Sequence, residues 1–256
     1  MKKLLLAPIF IITMTFSSLS NADTIGVWAG GGIWDWDVSG SIRYQSTNIN
    51  DTINLENPGS GNYLNWADDD SSTLFVIIDH PVPLIPNVKL FRTSIETSGT
   101  GLATVTYGGA NLSADVTSSL EMDMTDVTLY WDLLDNVVGL DIGINAKILD
   151  GQIIVSDVST PGETDTANFD VTIPMLYAGV DVSLPLTGLM IGANASYIGF
   201  SGSEITEYHA YVRYDSAFVF GVEAGIKSIN ITLDDIDQSY GELDFSGTYA
   251  QLYVHF

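Results

Sequence analysis

The chain has 256 residues, with 32 acidic side chains, 8 lysines and arginines and no cysteine. Its formal net charge of −24 argues against nucleic acid as a partner, because phosphate binding requires a basic surface. Without cysteine, a small exported domain held by disulfides is excluded. Apolar residues make up 46% of the chain, yet after residue 22 no continuous apolar run reaches the roughly 20 residues of a transmembrane helix. High hydrophobicity without long runs is typical of alternating strands.

The first 22 residues have the pattern of a secretory signal peptide. Lys2 and Lys3 form a short basic segment, residues 4–16 are mostly apolar, and residues 17–22 are mostly small and polar. We predict cleavage after Ala22, which leaves residues 23–256 as one domain. Loss of Lys2 and Lys3 lowers the formal net charge from −24 to −26.

Alternation of apolar and polar residues predicts ten strands in the remaining chain. The first contains three consecutive glycines among three tryptophans, so its facing is ambiguous. Every second connection is short, and the others are mostly longer and acidic, notably 45–71 and 97–121. The predicted strands are 24–44, 72–79, 87–96, 122–134, 137–149, 170–184, 189–200, 204–215, 218–232 and 244–256.

Short and long connections that alternate around an even number of strands are the pattern of an outer-membrane barrel. We therefore predict an all-β fold, a transmembrane antiparallel up-and-down β-barrel of about ten strands. One mistaken hairpin would make the count eight or twelve. An even count places both chain ends on the same, periplasmic side. The competing interpretation is a soluble periplasmic β-sandwich, with the apolar faces as its core.

The fifth predicted strand shows the two faces most clearly. One face is apolar from Val138 to Ile148, and the other carries Gly139, Asp141, Asn145 and Lys147. We expect the apolar face to contact lipid and the small polar face to line a narrow lumen. Aromatic side chains near the ends of these faces are expected at the level of the lipid headgroups: Trp131, Tyr197, Tyr208, Tyr214, Phe218 and Phe256.

The polar faces predict a network of charges inside the barrel. Opposite charges should pair there, because an unpaired buried charge costs several kcal/mol. Two functions follow: a salt-bridged plug that stiffens the barrel, or a narrow pore whose acidic excess favours cations. The expected lumen residues are Arg92, Glu96, Asp126, Asp132, Asp141, Lys147, Asp181, Glu207, His209, Arg213, Glu223 and Lys227.

The last strand alternates strictly and ends the chain on Phe256. It resembles the C-terminal signal by which Gram-negative outer-membrane barrels are recognised for assembly, and the matching residues are Tyr249, Leu252, Val254 and Phe256. This resemblance implies a location in the cell outer membrane. The implied partners are outer-membrane lipid and lipopolysaccharide, the barrel assembly machinery and periplasmic chaperones.

Three segments together resemble a family of small uncharacterised proteobacterial outer-membrane β-barrel proteins with glycine pairs near the mature N-terminus. They are Ile25-Gly-Val-Trp-Ala-Gly-Gly-Gly32, the turn from Asp79 to Leu90, and the closing strand. The likeness covers nearly the whole mature chain. It implies the fold and the location, and it brings no activity with it.

A surface enzyme, either a protease or a lipid-modifying one, and an adhesin are the alternative functions. The Asp-x-His and His-x-Ser elements of known barrel enzymes are missing, so a triad would have to use His209 with Glu207 and Ser196 or Ser201. We expect no catalytic residue, cofactor or structural metal. Acidic loop clusters at 68–70, 115 and 234–237 are expected to be solvated or to attract divalent cations that tie them to lipopolysaccharide.

Overall fold

A computed structural model describes residues 25–82, 84–160, 162–236 and 238–256, and most of this part of the chain is β-strand. The predicted signal peptide, residues 1–22, lies outside the described residues. In the part that the structure describes, no helix is long and apolar enough to cross a membrane.

In the described residues, ten long strands and one two-residue strand follow one another. The short strand, β2 (Ile53–Asn54), lies in a long connection after a single 3-10 turn at Ile49–Asp51. The long strands are β1 (Gly26–Tyr44), β3 (Asp69–Asp79), β4 (Asn87–Tyr107), β5 (Ala110–Asp135), β6 (Val138–Asp157), β7 (Thr164–Leu184), β8 (Leu189–Phe200), β9 (Ser203–Asp215), β10 (Phe220–Ile236) and β11 (Ser239–His255).

The long strands close into a ring. Each pairs antiparallel with its neighbours in the chain, and β1 pairs with β11 from Trp28 opposite His255 to Tyr44 opposite Ser239. Two further hydrogen bonds, of 3.1 and 3.0 Å, join Val27 to Phe256 at the seam. Closure leaves no free edge between the first and last strands. The predicted up-and-down barrel of about ten strands is confirmed. We call the end that carries Ile25 and Phe256 proximal and the opposite end distal.

Several strands are longer than the sequence indicated. The segment 97–121 was expected to be a loop, but it forms the distal halves of β4 and β5, joined at Gly108 and Gly109. β6 and β7 are likewise extended distally, to Asp157 and from Thr164. The expectation of several long distal loops is therefore wrong, and 45–68 is the one long connection in the described part of the chain.

An apolar belt surrounds the proximal part of the barrel. On β6 it runs along one face from Val138 to Ile148, where the side chains are exposed or half-buried. Ten residue steps of about 3.3 Å, tilted by about 40°, rise about 25 Å, which is the height of the lipid-facing band in transmembrane barrels. The expected aromatic residues all lie on the outside and are exposed: Trp131, Tyr197, Tyr208, Tyr214, Phe218 and Phe256.

Distal to the belt the polarity of both faces reverses while the strands continue. On β5, the outward residues change from Val127 and Leu129 to Asp123 and Glu121. The outward acidic residues above the belt form what we call the acidic collar: Asp35, Asp37, Asp70, Glu96, Asp115, Glu121, Asp123, Asp150, Asp170, Glu204, Glu242 and Asp244.

The inner face reverses in the opposite sense. On β5 it changes from Asp126 and Thr128 to the buried Met124, Met122 and Leu120. Lipid outside favours apolar side chains, whereas water outside favours polar ones and leaves apolar side chains to fill the interior. The distal half is thus built like a water-soluble β-protein on top of a membrane barrel.

Candidate functional site: the barrel interior

The interior is filled by three layers of side chains. A proximal layer of tyrosines and carboxylates lies inside the apolar belt, a middle ion layer lies above it, and an apolar distal core fills the far half. Because side chains alternate between the two faces of each strand, every second residue points into one of these layers.

The middle ion layer is centred on Lys147, which is fully buried. Its Nζ lies 2.8 Å from Asp126 Oδ2 and 2.6 Å from Glu207 Oε2. Lys227 Nζ and His209 Nε2 lie 3.3 and 3.2 Å from Glu207 Oε1. Two lysines against two carboxylates make the layer neutral when His209 is uncharged. Each charge has a partner within reach, which buried charges require.

The proximal layer contains one more lysine, Lys89, which lies among aromatic rings. Lys89 Nζ donates to Tyr177 Oη at 2.7 Å and lies 3.3 Å from Asp141 Oδ2. The same nitrogen is 4.0 Å from the ring centre of Tyr130, whose hydroxyl donates to Asp79. A cation above an aromatic face gains electrostatic stabilisation where water is scarce.

The opposite side of the proximal layer is organised by Glu223. Arg213 Nε donates to Glu223 Oε2 at 2.8 Å, and Arg213 Nη2 forms an ion pair with the same oxygen at 2.7 Å. Tyr249 Oη and Gln251 Nε2 each donate to Oε1 at 2.7 Å. Three hydrogen bonds and the ion pair with Arg213 therefore hold this carboxylate across β9, β10 and β11, which stiffens the wall near the seam.

The distal core receives part of the long connection 45–68. Ile53, Leu55 and Leu64 are completely buried, and Trp66 donates from Nε1 to Ser118 Oγ at 2.8 Å. β2 pairs with the distal part of β1, and on the other side Tyr63 N–H donates to Leu102 O at 2.8 Å. The connection thus fills the gap that the short β3 leaves between β1 and β4.

Two glycines on β4 allow this close approach. A Cβ at Gly101 would lie 1.9 Å from Tyr63 O, and one at Gly99 would lie 2.3 Å from Asn65 O. Both distances are shorter than any tolerable contact, so a side chain at either position would displace the connection 45–68 from the distal core.

A small cavity lies between the proximal and middle layers. Its volume is about 10 Å³, which is near the lower limit for one water molecule. Among the residues that line it are Trp34, Phe91, His209, Lys227 and Tyr249. A void of this size holds no solute larger than water.

The register places ten of the twelve expected lumen residues on the inner face: Asp126, Asp132, Asp141, Lys147, Asp181, Glu207, His209, Arg213, Glu223 and Lys227. Arg92 and Glu96 lie on the outer face instead, and this corrects the expectation for both. Arg92 pairs with Asp123 at 2.9 Å, with side chains 60% and 48% exposed. The reversal of polarity explains the error, because at the top of the belt polar residues begin to face outward.

Lys89, Asp79, Tyr130 and Tyr177 take part in the interior but were not identified from the sequence. The parity of β4 is the signal for Lys89. It shares the inner face with Asn87, whereas Arg92 is an odd number of positions away and must point outward.

His209 lies in the middle ion layer, with its ring centre 6.4 Å from that of Phe91 and 5.8 Å from that of Tyr249. Ser196 is opposite Glu207 across β8 and β9, and Ser201 lies at the distal β8–β9 turn. The acidic loops also have internal partners, since Asp68 accepts from Val38 N–H at 3.0 Å. Among the described residues, no three acidic or histidine side chains converge as a metal site.

The residues of the expected assembly signal divide between the faces of β11. Leu252, Val254 and Phe256 belong to the outer face, and Tyr249 points inward to Glu223. The outer three are therefore placed for contact with lipid or with another protein at the seam.

No family model matches the chain, and no curated protein matches it. Among solved structures it is similar to the translocator domain of the autotransporter NalP from Neisseria meningitidis, with 13% identity, TM-score 0.41 and coverage of 91% of this chain and 87% of that one. It is also similar to the P. putida toluene transporter TodX, with 8% identity, TM-score 0.26 and coverage of 90% and 89%. With TM-scores below 0.5, neither likeness bears on the function of this chain.

Proposed function

We propose that this protein is a closed outer-membrane β-barrel that acts as a non-conducting structural scaffold and presents its distal half at the cell surface. The observation that carries the proposal is the reversal of polarity at the top of the belt. A barrel whose outside changes from apolar to acidic at one level, and whose interior changes from ionic to apolar there, is matched to a single membrane–water boundary.

The filled interior supports a plug rather than a pore. An ion passing along the axis would have to displace the ion pairs of Lys147 and Glu207, and then the distal core with the inserted Leu64 and Trp66. If any current does pass, it should favour cations, because the proximal layer has more carboxylates than cations. Lys89 and Arg213 stand there against Asp79, Asp132, Asp141, Asp181, Asp215 and Glu223.

The acidic collar supports the proposed contact with lipopolysaccharide. Several of its carboxylates, among them those of Asp123, Asp150 and Asp170, lie just above the belt, at the level where anionic headgroups are expected. Divalent cations would relieve the repulsion by bridging a collar carboxylate to a lipid phosphate, which requires only one or two oxygens from the protein. We also propose that the protein has no catalytic role. His209, around which a triad would have to be built, is held inside the barrel by Glu207.

Single-channel recording in planar bilayers tests the closed barrel. The folded state is verified first by the change in gel mobility on boiling, and fractionation of cells tests the location. We expect no stepwise current from the folded protein. Stable openings that select cations would show that the barrel is a narrow pore and not a plug. Anion selectivity or passage of sugars would contradict the assignment of the lumen residues as well.

A further inference from the structure

One strand edge in the distal half lacks a partner. β7 pairs with β6 along its whole length, from Ser156 opposite Thr164 to Val138 opposite Val182. On its other side it pairs with β8 only from Leu184 up to Leu176. Along residues 164–175 of β7, the described part of the chain provides no strand on the β8 side. We call this segment the β7 edge.

The edge is open because the β8–β9 hairpin is short and its pairing with β7 ends at Tyr197, opposite Leu176. β8 ends at Phe200, and the hairpin is fixed to β10 by Asp234 N–H, which donates to Ser203 Oγ at 2.9 Å. A gap therefore separates β7 from the distal part of β10. The gap exposes the side chain of Val171, which points to the inner side and is still 42% exposed.

The backbone groups that face the gap can be identified. Pro174 has no N–H, and Thr166 N–H donates to Asp165 Oδ1 at 2.6 Å instead of to β6. In an antiparallel strand the backbone N–H and C=O groups of alternate residues point to opposite neighbours, so the even-numbered residues of this segment point their backbone groups into the gap. The donors left free on that side are the N–H groups of Asn168, Asp170 and Thr172. Pro174 and Asp165 blunt the two ends, so the available edge accommodates an added strand of about seven residues.

The negative charge beside this edge favours a basic strand as its partner. Asp123 lies directly opposite Asp150, and Asp150 directly opposite Asp170, which forms a row of three aspartates across the outer face. Like charges directly opposite each other are destabilising in a sheet. The next position in this row is in the gap, so a basic residue on an added strand would relieve the repulsion. Arg92 pairs with Asp123 at one end of this row, but among the described residues no lysine or arginine forms an ion pair with Asp150 or Asp170. Lys89, Lys147, Arg213 and Lys227 are inside the barrel.

The inner side of the gap is apolar. Phe169 and Ile173 of β7 pack against the distal core from a partly exposed position, as do Ile198 of β8 and Leu233 of β10. Side chains on the inner face of an added strand would cover this surface. The favoured segment therefore has apolar residues at alternate positions and a basic residue between them.

We propose that the β7 edge binds an extended basic segment of another protein by strand addition, with a lysine or arginine opposite Asp170 and apolar residues facing Phe169 and Ile173. Backbone hydrogen bonds supply affinity in this mode, and alternate side chains supply specificity. A second copy of the chain is disfavoured, because it would bring another acidic edge against Asp170. The inference rests on the proposed orientation, in which the distal half faces the outside.

A synthetic peptide tests the proposal with the full chain folded in nanodiscs of zwitterionic lipid. The probe has a central arginine, valines at the first and third positions on each side, threonines between them, and a fluorescent label for anisotropy. Methylation of the arginine and threonine amides, which face β7, should weaken binding at least about tenfold. Methylation of the valine amides, which face away, should leave the affinity close to that of the unmodified peptide.

Protein variants test the charge. Asp170→Asn should weaken binding several-fold and reduce its salt dependence, whereas the collar variant Glu242→Gln, on β11, should not. Absence of binding, equal loss for the two methylated peptides, or equal affinity of the two variants would overturn the proposal. Self-association that excludes the peptide would instead assign the edge to a second copy. Conductance and peptide titration are independent, so the closed barrel and the β7 edge can fail separately.

Discussion

Asp123 and Asp126 lie three residues apart on β5 and on opposite sides of the barrel wall. Asp126 is inside, within 2.8 Å of Lys147 Nζ, and Asp123 is outside, within 2.9 Å of Arg92 Nη2. An odd separation along a strand always changes the face. The two carboxylates therefore mark the level at which the outer surface changes from apolar to acidic and the interior from ionic to apolar.

The lipid-facing assignment predicts the effect of arginine at two levels of β6. Ile142→Arg places a charge in the belt and should destabilise the folded protein by about 2 to 4 kcal/mol if the position is near the midplane. Ile154→Arg makes the same change on the same face above the belt, where we expect about 0 to 1 kcal/mol. Urea unfolding in lipid vesicles measures both. Equal losses at the two positions would mean that the belt has been placed at the wrong height.

Much of the membrane-spanning part could be predicted from the sequence, because the lipid imposes one pattern on every strand. The alternation from Val138 to Ile148 is typical of this pattern, and it gave the correct face. The distal half could not be predicted in the same way. There Ile95, Leu120 and Met122 fill the interior, so the rule that polar residues face the lumen holds only up to the boundary.

The inserted connection depends on tertiary contacts that have no local signal. Gly99 and Gly101 look like ordinary loop glycines in a segment rich in serine and threonine. Their role becomes apparent only when Tyr63 and Leu64 are placed against them. In the same way, the open β7 edge is a consequence of unequal strand lengths, which depend on where each hairpin turns.

The middle ion layer predicts a large effect of removing its central cation. Lys147→Met leaves Asp126 and Glu207 buried without that partner, and we expect a loss of about 3 to 5 kcal/mol. Adding Asp126→Asn to this variant should restore part of the stability, because Glu207 then stays paired with Lys227 and no buried carboxylate is left without a cation. Urea midpoints of the single and double variants test this. A double variant that is less stable than Lys147→Met would contradict this account.

The inserted connection predicts a local effect at Trp66. Trp66→Ala removes a buried side chain from the distal core and should cost about 3 to 5 kcal/mol in that half. We expect proteinase K to cleave residues 45–68 faster in this variant while the membrane part keeps its mobility shift on unboiled gels. Trp66→Phe retains most of the volume and loses only the bond to Ser118, so it should be cleaved at an intermediate rate.

Asp157 predicts a pH-dependent change above the membrane. Hydrogen bonds from the Ser113 N–H and hydroxyl, Thr160 N–H and Ser159 N–H lower the pKa of Asp157 below its ordinary value of 3.8. A lowered pKa in the folded state means that ionised Asp157 stabilises the β6–β7 turn above about pH 4, and that this stabilisation is lost as the pH falls through the lower folded value. Protection factors of the amides in residues 158–164, which are exchange rates corrected for the intrinsic rate at each pH, should fall in that acidic range. Asp157→Asn should show low protection factors at neutral pH already, and acid should change them little.

The end of the chain predicts a difference between assembly and folding. The side chain of Phe256 is 69% exposed on the outer face of the seam, so Phe256→Ala removes few contacts within the barrel. If the terminal aromatic is read by the assembly machinery, this variant should accumulate poorly in the outer membrane and still refold from urea into detergent with normal stability. Phe200→Ala is the matched control, since Phe200 is 79% exposed at the distal β8–β9 turn. Immunoblots of membrane fractions compare the two variants. Equal membrane levels for Phe256→Ala and Phe200→Ala would show that the terminal Phe is not needed for assembly, and slower refolding of Phe256→Ala would assign it a role in the fold instead.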